Sequence, residues 1–287
     1  MPAKLDTVSR LISLFYVFSC FYAAFGQPLA ASPLPPAQAQ ALVDKALATE
    51  LRLSRDVSHP MRYRLRKSSP RLTTTKAIAE TRDGDVARLF EIGDKPLNQV
   101  DEQKEQARLD ALMSDPGRQR HRKQSEEADT GVVLKLLRML PQAFLYDYAG
   151  SGQGATGKVE KFRFHPNPAF NPPDMETQAL TAMSGELWID AAQNRVARLE
   201  GHLQQDTNYG WGVLGKLNKG GWIALDQADI GNRQWRIVRF QMKMNLRILF
   251  KTKVFDSTQE MTQYTPLPVG MSYKQAIQLL RATPASR

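Results

Sequence analysis

Between Gly185 and Tyr264 the chain repeats one pattern, a run of alternating apolar and polar residues followed by a turn signal. A period of two sends successive side chains to opposite faces of a strand, so each run offers one face to a core and one to water. In Arg195 to Gln205, Ala197, Leu199, Gly201 and Leu203 point one way and Arg198, Glu200, His202 and Gln204 the other. Turn signals at Ala191 to Asn194, Gly220-Gly221 and Gly231-Asn232 join the runs into an antiparallel meander. Trp235 to Met244 puts Val238, Phe240, Met242 and Met244 on one face. The next strand does the same with Leu246, Ile248, Phe250, Thr252 and Val254 opposite Arg247, Lys251 and Lys253. A last strand lies around Glu260 to Tyr264, and Ser272 caps a small helix reaching Leu280.

Upstream, Ala37 to Arg55 is helical, with Leu42, Ala46, Leu47 and Leu51 on one stripe. Tyr63 to Lys67, Lys76 to Thr81 and Val86 to Ile92 alternate as three early strands, punctuated by Asp83-Gly84 and Gly93-Asp94-Lys95-Pro96. Asn98 to Leu140 then reads as a polar helical insertion that Pro141 ends, and Ala143 to Ala149 returns to strand. Four prolines within His165 to Pro173 stiffen the backbone and cannot donate to a ladder, so this segment runs along an edge or over an opening. Asp174 or its neighbour caps a short helix from Met175 to Ala182.

Chemistry is sparse along this frame. His59, His121, His165 and His202 fall on separate elements with no Ser, Asp or Glu arrangement that names a partner. Neither glycine-rich stretch, 150–157 or 210–221, carries a dinucleotide or phosphate-loop pattern. No catalytic residue, metal site or cofactor is therefore assigned, and the chain reads as a non-enzyme. Formal charge is +10 from 39 basic and 29 acidic residues, which favours anionic neighbours such as a membrane surface. Nucleic acid is excluded as a partner, because the densest basic run, Arg118 to Lys123, leads straight into Glu126, Glu127 and Asp129.

Residues 1–26 read as a signal peptide, with Lys4 and Arg10 ahead of the apolar stretch 11–26 and small residues before Gln27. The expected location is outside the cytoplasm, in the periplasm, with a retained anchor or a lipidated Cys20 as the lesser alternatives. Cys20 is the single cysteine, so cleavage before Gln27 leaves no thiol and no disulfide. Residues 27–36 form a Pro-rich linker, and 37–287 a single domain with its helical insertion at 98–140.

The order of these elements resembles the periplasmic lipoprotein-carrier superfamily, the LolA/LolB-like half-barrels. The residues that carry the likeness are Gly185-Glu186-Leu187-Trp188-Ile189-Asp190, the hairpin after them, and Arg195-Val196-Ala197-Arg198-Leu199-Glu200. The Pro-Asn-Pro segment and Tyr209-Gly210-Trp211-Gly212 are similar to an exported bacterial subgroup with that fold. The resemblance implies an α+β fold, a strongly curved antiparallel sheet or half-barrel covered by helices on its concave side. It also implies a cavity that holds a lipid or acyl chain. The apolar strand faces would line it through Leu187, Ile189, Leu199, Leu203, Trp211, Trp222, Val238, Phe240, Met242, Met244, Ile248 and Phe250. A hydrophobic core would use the same residues, so the alternative is an envelope protein-interaction or sensor module with a filled interior and no ligand.

Overall fold

Helix starts in this chain are written in its caps. A computed structural model describes residues 34–155, 157–209, 215–249 and 251–283. Helix α1 (Pro36–Leu53) begins with proline in its first turn and buries Ala39, Val43, Ala46 and Leu47 on one stripe. Asn98 caps α2 (Gln99–Ser114) and Asp115 caps α3 (Pro116–Ala143), each side chain accepting from a backbone N–H of the first turn. Pro141 lies inside α3, which runs two residues beyond it rather than ending there. Asp174 and Thr177 form a capping box at α4 (Met175–Gln178), followed by a 3-10 turn at Ala179–Ala182. Ser272 and Gln275 form another at α5 (Tyr273–Ala282), which buries Tyr273, Ala276, Ile277 and Leu280.

The strands are β1 (Met61–Ser68), β2 (Thr73–Ala79), β3 (Val86–Ile92), β4 (Lys95–Pro96), β5 (Phe144–Gln153), β6 (Lys158–Pro166), β7 (Met183–Asp190), β8 (Arg195–Leu203), β9 (Thr207–Tyr209), β10 (Gly215–Leu217), β11 (Trp222–Asp229), β12 (Trp235–Ile248) and β13 (Lys251–Pro266). They form one antiparallel sheet ordered β4-β3-β2-β1-β13-β12-β11-β8-β7-β6-β5, with β9 and β10 attached beside β12. The break expected after Met244 is absent: β12 continues to Ile248, and the chain turns at Leu249, whose φ is 50°.

The half-barrel is overturned. The two ends of the sheet, β4 and β5, do not pair, and the sheet is neither closed nor strongly curled. Nor do the helices gather on one concave side, as the register shows. Cross-strand partners share a face. Phe162, Leu187, Leu199, Leu225, Phe240 and Gln259 are successive partners and define one face. Lys161, Trp188, Arg198, Asp226, Arg239, Glu260, Arg66 and Thr75 define the other. Helices α1 and α3 cover the first face over β5 to β8, while α2 and α5 cover the second face over β2 and β3, where Ala77 lies two residues from Thr75. Two helical layers on opposite faces at opposite ends cannot enclose one cavity.

Each layer closes on a filled core. Against α1 and α3 pack Phe144, Tyr146, Phe162, Phe164, Leu187, Ile189 and Leu203. Against α2 and α5 pack Ala77, Ala79, Val86 and Phe90, together with Leu109 and Leu112 of α2. Fully burying a side chain of that size contributes about 1.5–3 kcal/mol, so the two clusters hold the unit that runs from Leu34 onward.

The polar insertion has a structural task. Strand β4 extends the ladder only at Glu91 and Ile92, leaving the outer edge of β3 without a strand. Side chains of α2 and α3 take its place. Glu105 Oε1 accepts from Leu89 N at 2.9 Å and Arg108 donates to Ala87 O at 2.5 Å. Beside them Arg122 donates to Asp85 O at 3.1 Å and Glu126 Oε2 accepts from Asp85 N at 2.9 Å. An open strand edge invites pairing with another chain, and here charged side chains block it. Between these clamps and the apolar contacts of Leu136, Leu137 and Leu140, residues 127–133 of α3 are exposed. That stretch links the parts of α3 that touch the two cores, and it leaves Val132 and Val133 exposed beside Glu127, Asp129 and Thr130.

Candidate functional site

The strands in the middle of the sheet, β1, β13 and β12, lie between the two helical layers, and their second face carries charge. Starting from Glu91 on β3, one cross-strand row runs through Thr75, Arg66, Glu260, Arg239, Asp226, Arg198 and Trp188 to Lys161 on β6. Nine strands at about 4.8 Å spacing make the row roughly 40 Å long. Signs alternate along it. Arg66 grips Asp94 through two hydrogen bonds of 2.8 Å and reaches Glu260 Oε2 at 3.2 Å. Arg198 donates to Asp226 at 2.6 Å and also pairs with Glu200, whose second oxygen meets His202 Nε2 at 2.9 Å. The row ends on Trp188, with Lys161 Nζ 3.9 Å from the ring centroid on one side and Arg198 at 5.7 Å.

These contacts tune the acids they touch. Arg66 beside Asp94 holds that carboxyl below the usual range, and His202 with Arg198 does the same for Glu200. Exposed ion pairs of this kind contribute only ~0–1 kcal/mol each to stability, so the row is weak as a structural brace. Arg239 is exposed and has no hydrogen-bond or ion-pair partner among the described residues, although Glu260 and Asp226 flank it in register. Both acids are turned to Arg66 and Arg198 instead.

A cleft of about 700 Å³ opens beside the row, lined by Arg64, Arg66, Glu91, Arg239, Glu260 and Tyr264 among others. A second hollow, reaching Leu279 and Thr283 at the end of α5, shares Arg64 and Gln263 with it. The shared point is a bulge where β1 and β13 lose register between Arg62 and Arg64. Gln263 takes a φ of 57° there, and Tyr63 stacks on Tyr264 with centroids 5.2 Å apart. Burial, reinforced by the charge of Asp85, pushes the Tyr63 hydroxyl well above its ordinary range, so both rings stay neutral spacers.

This geometry corrects the lipid-holding cavity. An acyl chain placed in the cleft would strip water from Arg64, Arg66, Glu91 and Glu260, and desolvating charged groups is costly even where they are paired. Most of the residues expected to line an apolar cavity share the first face, but they are covered to different depths and do not line one hollow. Leu187, Ile189 and Leu203 are buried in the core under α1 and α3, and Leu199 and Met244 pack against that core from its margin. Phe240 and Met242 are half-buried on the same face. Trp222 lies on the charged face, stacked on His202, and Val238 lines the cleft. Ile248 is exposed near the end of β12, while Trp211 and Phe250 fall outside the described residues.

Three of the four histidines, His59, His165 and His202, have acidic neighbours. His165 meets Asp147 at 3.4 Å across β5 and β6. Ser58, His59 and Asp56 converge after α1, yet Ser58 and Asp56 both face His59 Nδ1, and Ser58 Oγ also lies within bonding distance of Asp56. A catalytic triad needs the serine and the acid on opposite ring nitrogens. Among the described residues no three His, Cys, Asp or Glu side chains are grouped to hold a metal ion. Sequence reasoning saw the wet face of β8 but missed the row, because alternation says which residues share a strand face and not which strand lies alongside.

No family model matches the chain, and no curated protein does. Among solved structures, a domain described as an outer membrane lipoprotein-sorting protein from Vibrio parahaemolyticus is similar over 86% of this chain and 100% of that one, with 9% identity and a TM-score of 0.31. A likeness at that score carries neither fold nor function to this chain.

Proposed function

We propose that this protein is a non-catalytic interaction or sensor module that acts outside the cytoplasm and recognises a protein partner through the charged row and its cleft. Arg239 is the observation that carries this reading. A guanidinium left exposed between two acids that bond elsewhere is available to a carboxylate from outside, and bidentate pairs of that kind give orientation as well as affinity. The filled cores support it too, because they leave the surface rather than the interior as the place for recognition. Export rests on the leader-like segment 1–26.

Photo-crosslinking in the producing cell tests the reading. A benzophenone amino acid at Thr262, on the rim of the cleft, is expected to give a discrete protein adduct that Arg239→Glu abolishes. The same probe at Asp129, in the exposed stretch of α3, should give none. Equal labelling at both positions, or an adduct indifferent to Arg239→Glu, would sink the proposal. So would stoichiometric uptake of a fluorescent fatty acid by the purified protein.

A further inference from the structure

Strands β12 and β13 run past their long neighbours. Strand β11 stops pairing with β12 at Lys243, beyond which the short β10, itself paired with β9, flanks β12 as far as Ile248; β1 stops pairing with β13 at Thr258, and among the described residues the outer edge of β13 has no strand from there to the turn. The ribbon is apolar and basic at once. Ile248, Leu249 and Val254 are 49%, 54% and 61% exposed, a concentration of large apolar side chains within seven residues. Arg247, Lys251 and Lys253 alternate with them, no acidic residue stands between Met244 and Phe255, and none of the three bases has an ion pair among the described residues. Lys253 lies over the Phe255 ring at 4.7 Å, its stem along apolar surface.

The backbone adds an independent observation. Leu249 turns the hairpin with a φ of 50°, a left-handed conformation that favours glycine, asparagine or aspartate and strains a leucine. A turn built only for stability would carry one of those residues, and an exposed leucine loses on hydration as well as strain.

We infer that this hairpin tip docks the protein on the surface of an anionic lipid bilayer, the aliphatic side chains entering the headgroup boundary and the bases meeting lipid phosphates. The distribution of residues selects this occupant over a protein groove. Register places Ile248, Lys251 and Lys253 on one face of the ribbon and Arg247 and Val254 on the other, so apolar and basic groups occur on both faces. A protein interface wants one apolar side with a polar rim, whereas a membrane boundary surrounds an inserted tip equally on all sides. Charge complementarity supplies the rest, three bases with no acid among them facing an anionic surface. Such docking needs no cavity, and it is independent of the charged row.

Vesicle sedimentation tests it with the chain from Gln27, which keeps every core residue and lacks the apolar leader. Wild type is expected to sediment with vesicles of phosphatidylcholine containing phosphatidylglycerol and not with phosphatidylcholine alone, and to come off as sodium chloride is raised. The double variant Lys251→Glu, Lys253→Glu is expected to weaken binding at least about tenfold. Leu249→Asn is expected to weaken it about fivefold while melting at the same or a higher temperature, because asparagine suits the turn. That split between affinity and stability separates docking from a structural role of the turn. Failure of wild type to bind anionic vesicles, equal binding to uncharged ones, or variants that sediment like wild type would overturn the inference. A dimer in solution that Leu249→Asn dissociates, without vesicle binding, would overturn it in favour of a second copy.

Discussion

The two ends of the sheet are held by different physics. Over β5 to β8 the contact is aromatic and aliphatic: Phe144 and Phe164 lie 4.6 Å apart between centroids, Phe162 is fully buried, and the Tyr146 hydroxyl satisfies the Leu140 carbonyl at 3.0 Å. Over β2 and β3 most of the core strand residues are small, Ala77, Ala79 and Val86 with Phe90 the one aromatic, and directional polar contacts do more of the holding. Arg88, nearly buried, donates from one nitrogen to the carbonyls of Leu280, Arg281 and Thr283 and so caps the C-terminus of α5, while its other nitrogen meets Glu102. Glu105, Arg108, Arg122 and Glu126 finish the edge of β3. The aromatic wing has one charged clamp of its own, Arg195 of β8 donating to Glu50 of α1 at 2.8 and 3.0 Å, so the contrast is one of degree: fewer of its contacts depend on protonation and salt than those of the clamped wing.

Substitutions that strike one wing at a time can break this contrast. Phe162→Ala is expected to cost the most, about 4 kcal/mol by denaturant unfolding, with little change between low and high salt. A loss below 1 kcal/mol would mean that the aromatic wing is not the main core. Arg88→Met keeps much of the volume but leaves the α5 carbonyls without their donor. It is expected to cost about 2.5 kcal/mol and to speed hydrogen exchange selectively in α5.

Asp85 offers a test by pH. Burial, with the charges of Glu126 and Glu80 nearby, pushes its carboxyl from 3.8 up to about 7. A raised acid pKa means that the folded chain holds a proton the unfolded chain has released. Stability from this group is therefore full at about pH 4 and lost as pH rises towards 7. Asp85→Asn is expected to flatten that slope and to add about 2 kcal/mol at pH 8, with no gain near pH 4. Thermal melts at the two pH values decide it. The smallest effect belongs to the middle of the sheet, where Gln263→Gly relieves a positive φ at the bulge and is expected to add about 0.5 kcal/mol without altering either wing.

Much of the local structure was legible in the sequence. The turn glycines Gly84, Gly93 and Gly231 sit at positive φ, as does Asn194, and Asp174 and Ser272 are the caps that their positions announce. The charged helices were legible as helices but not in purpose, since nothing local to Glu105 or Arg122 points to a strand edge some 15 to 40 residues away. The turn at Leu249 was missed because leucine is not a turn residue, and the strand pattern runs on to either side of it. The candidate site was visible only as scattered polar positions. Arg66, Glu260, Arg239 and Asp226 become a row through pairings across β1, β13, β12 and β11, the first of which joins residues almost 200 positions apart.

The sequence by itself determined an antiparallel, cysteine-poor α+β chain with one apolar and one polar face on each strand, because periodicity and capping are short-range properties of the backbone. Only the tertiary structure decided that β13 returns to lie beside β1, that the helices part to opposite faces, and that the apolar faces are filled. The same alternation of two fits a hollow half-barrel and an open sheet equally well. The choice between them falls to long-range packing, in which α1 and α3 fill one end of one face, α2 and α5 fill the opposite end of the other, and the charged middle is left uncovered by helices.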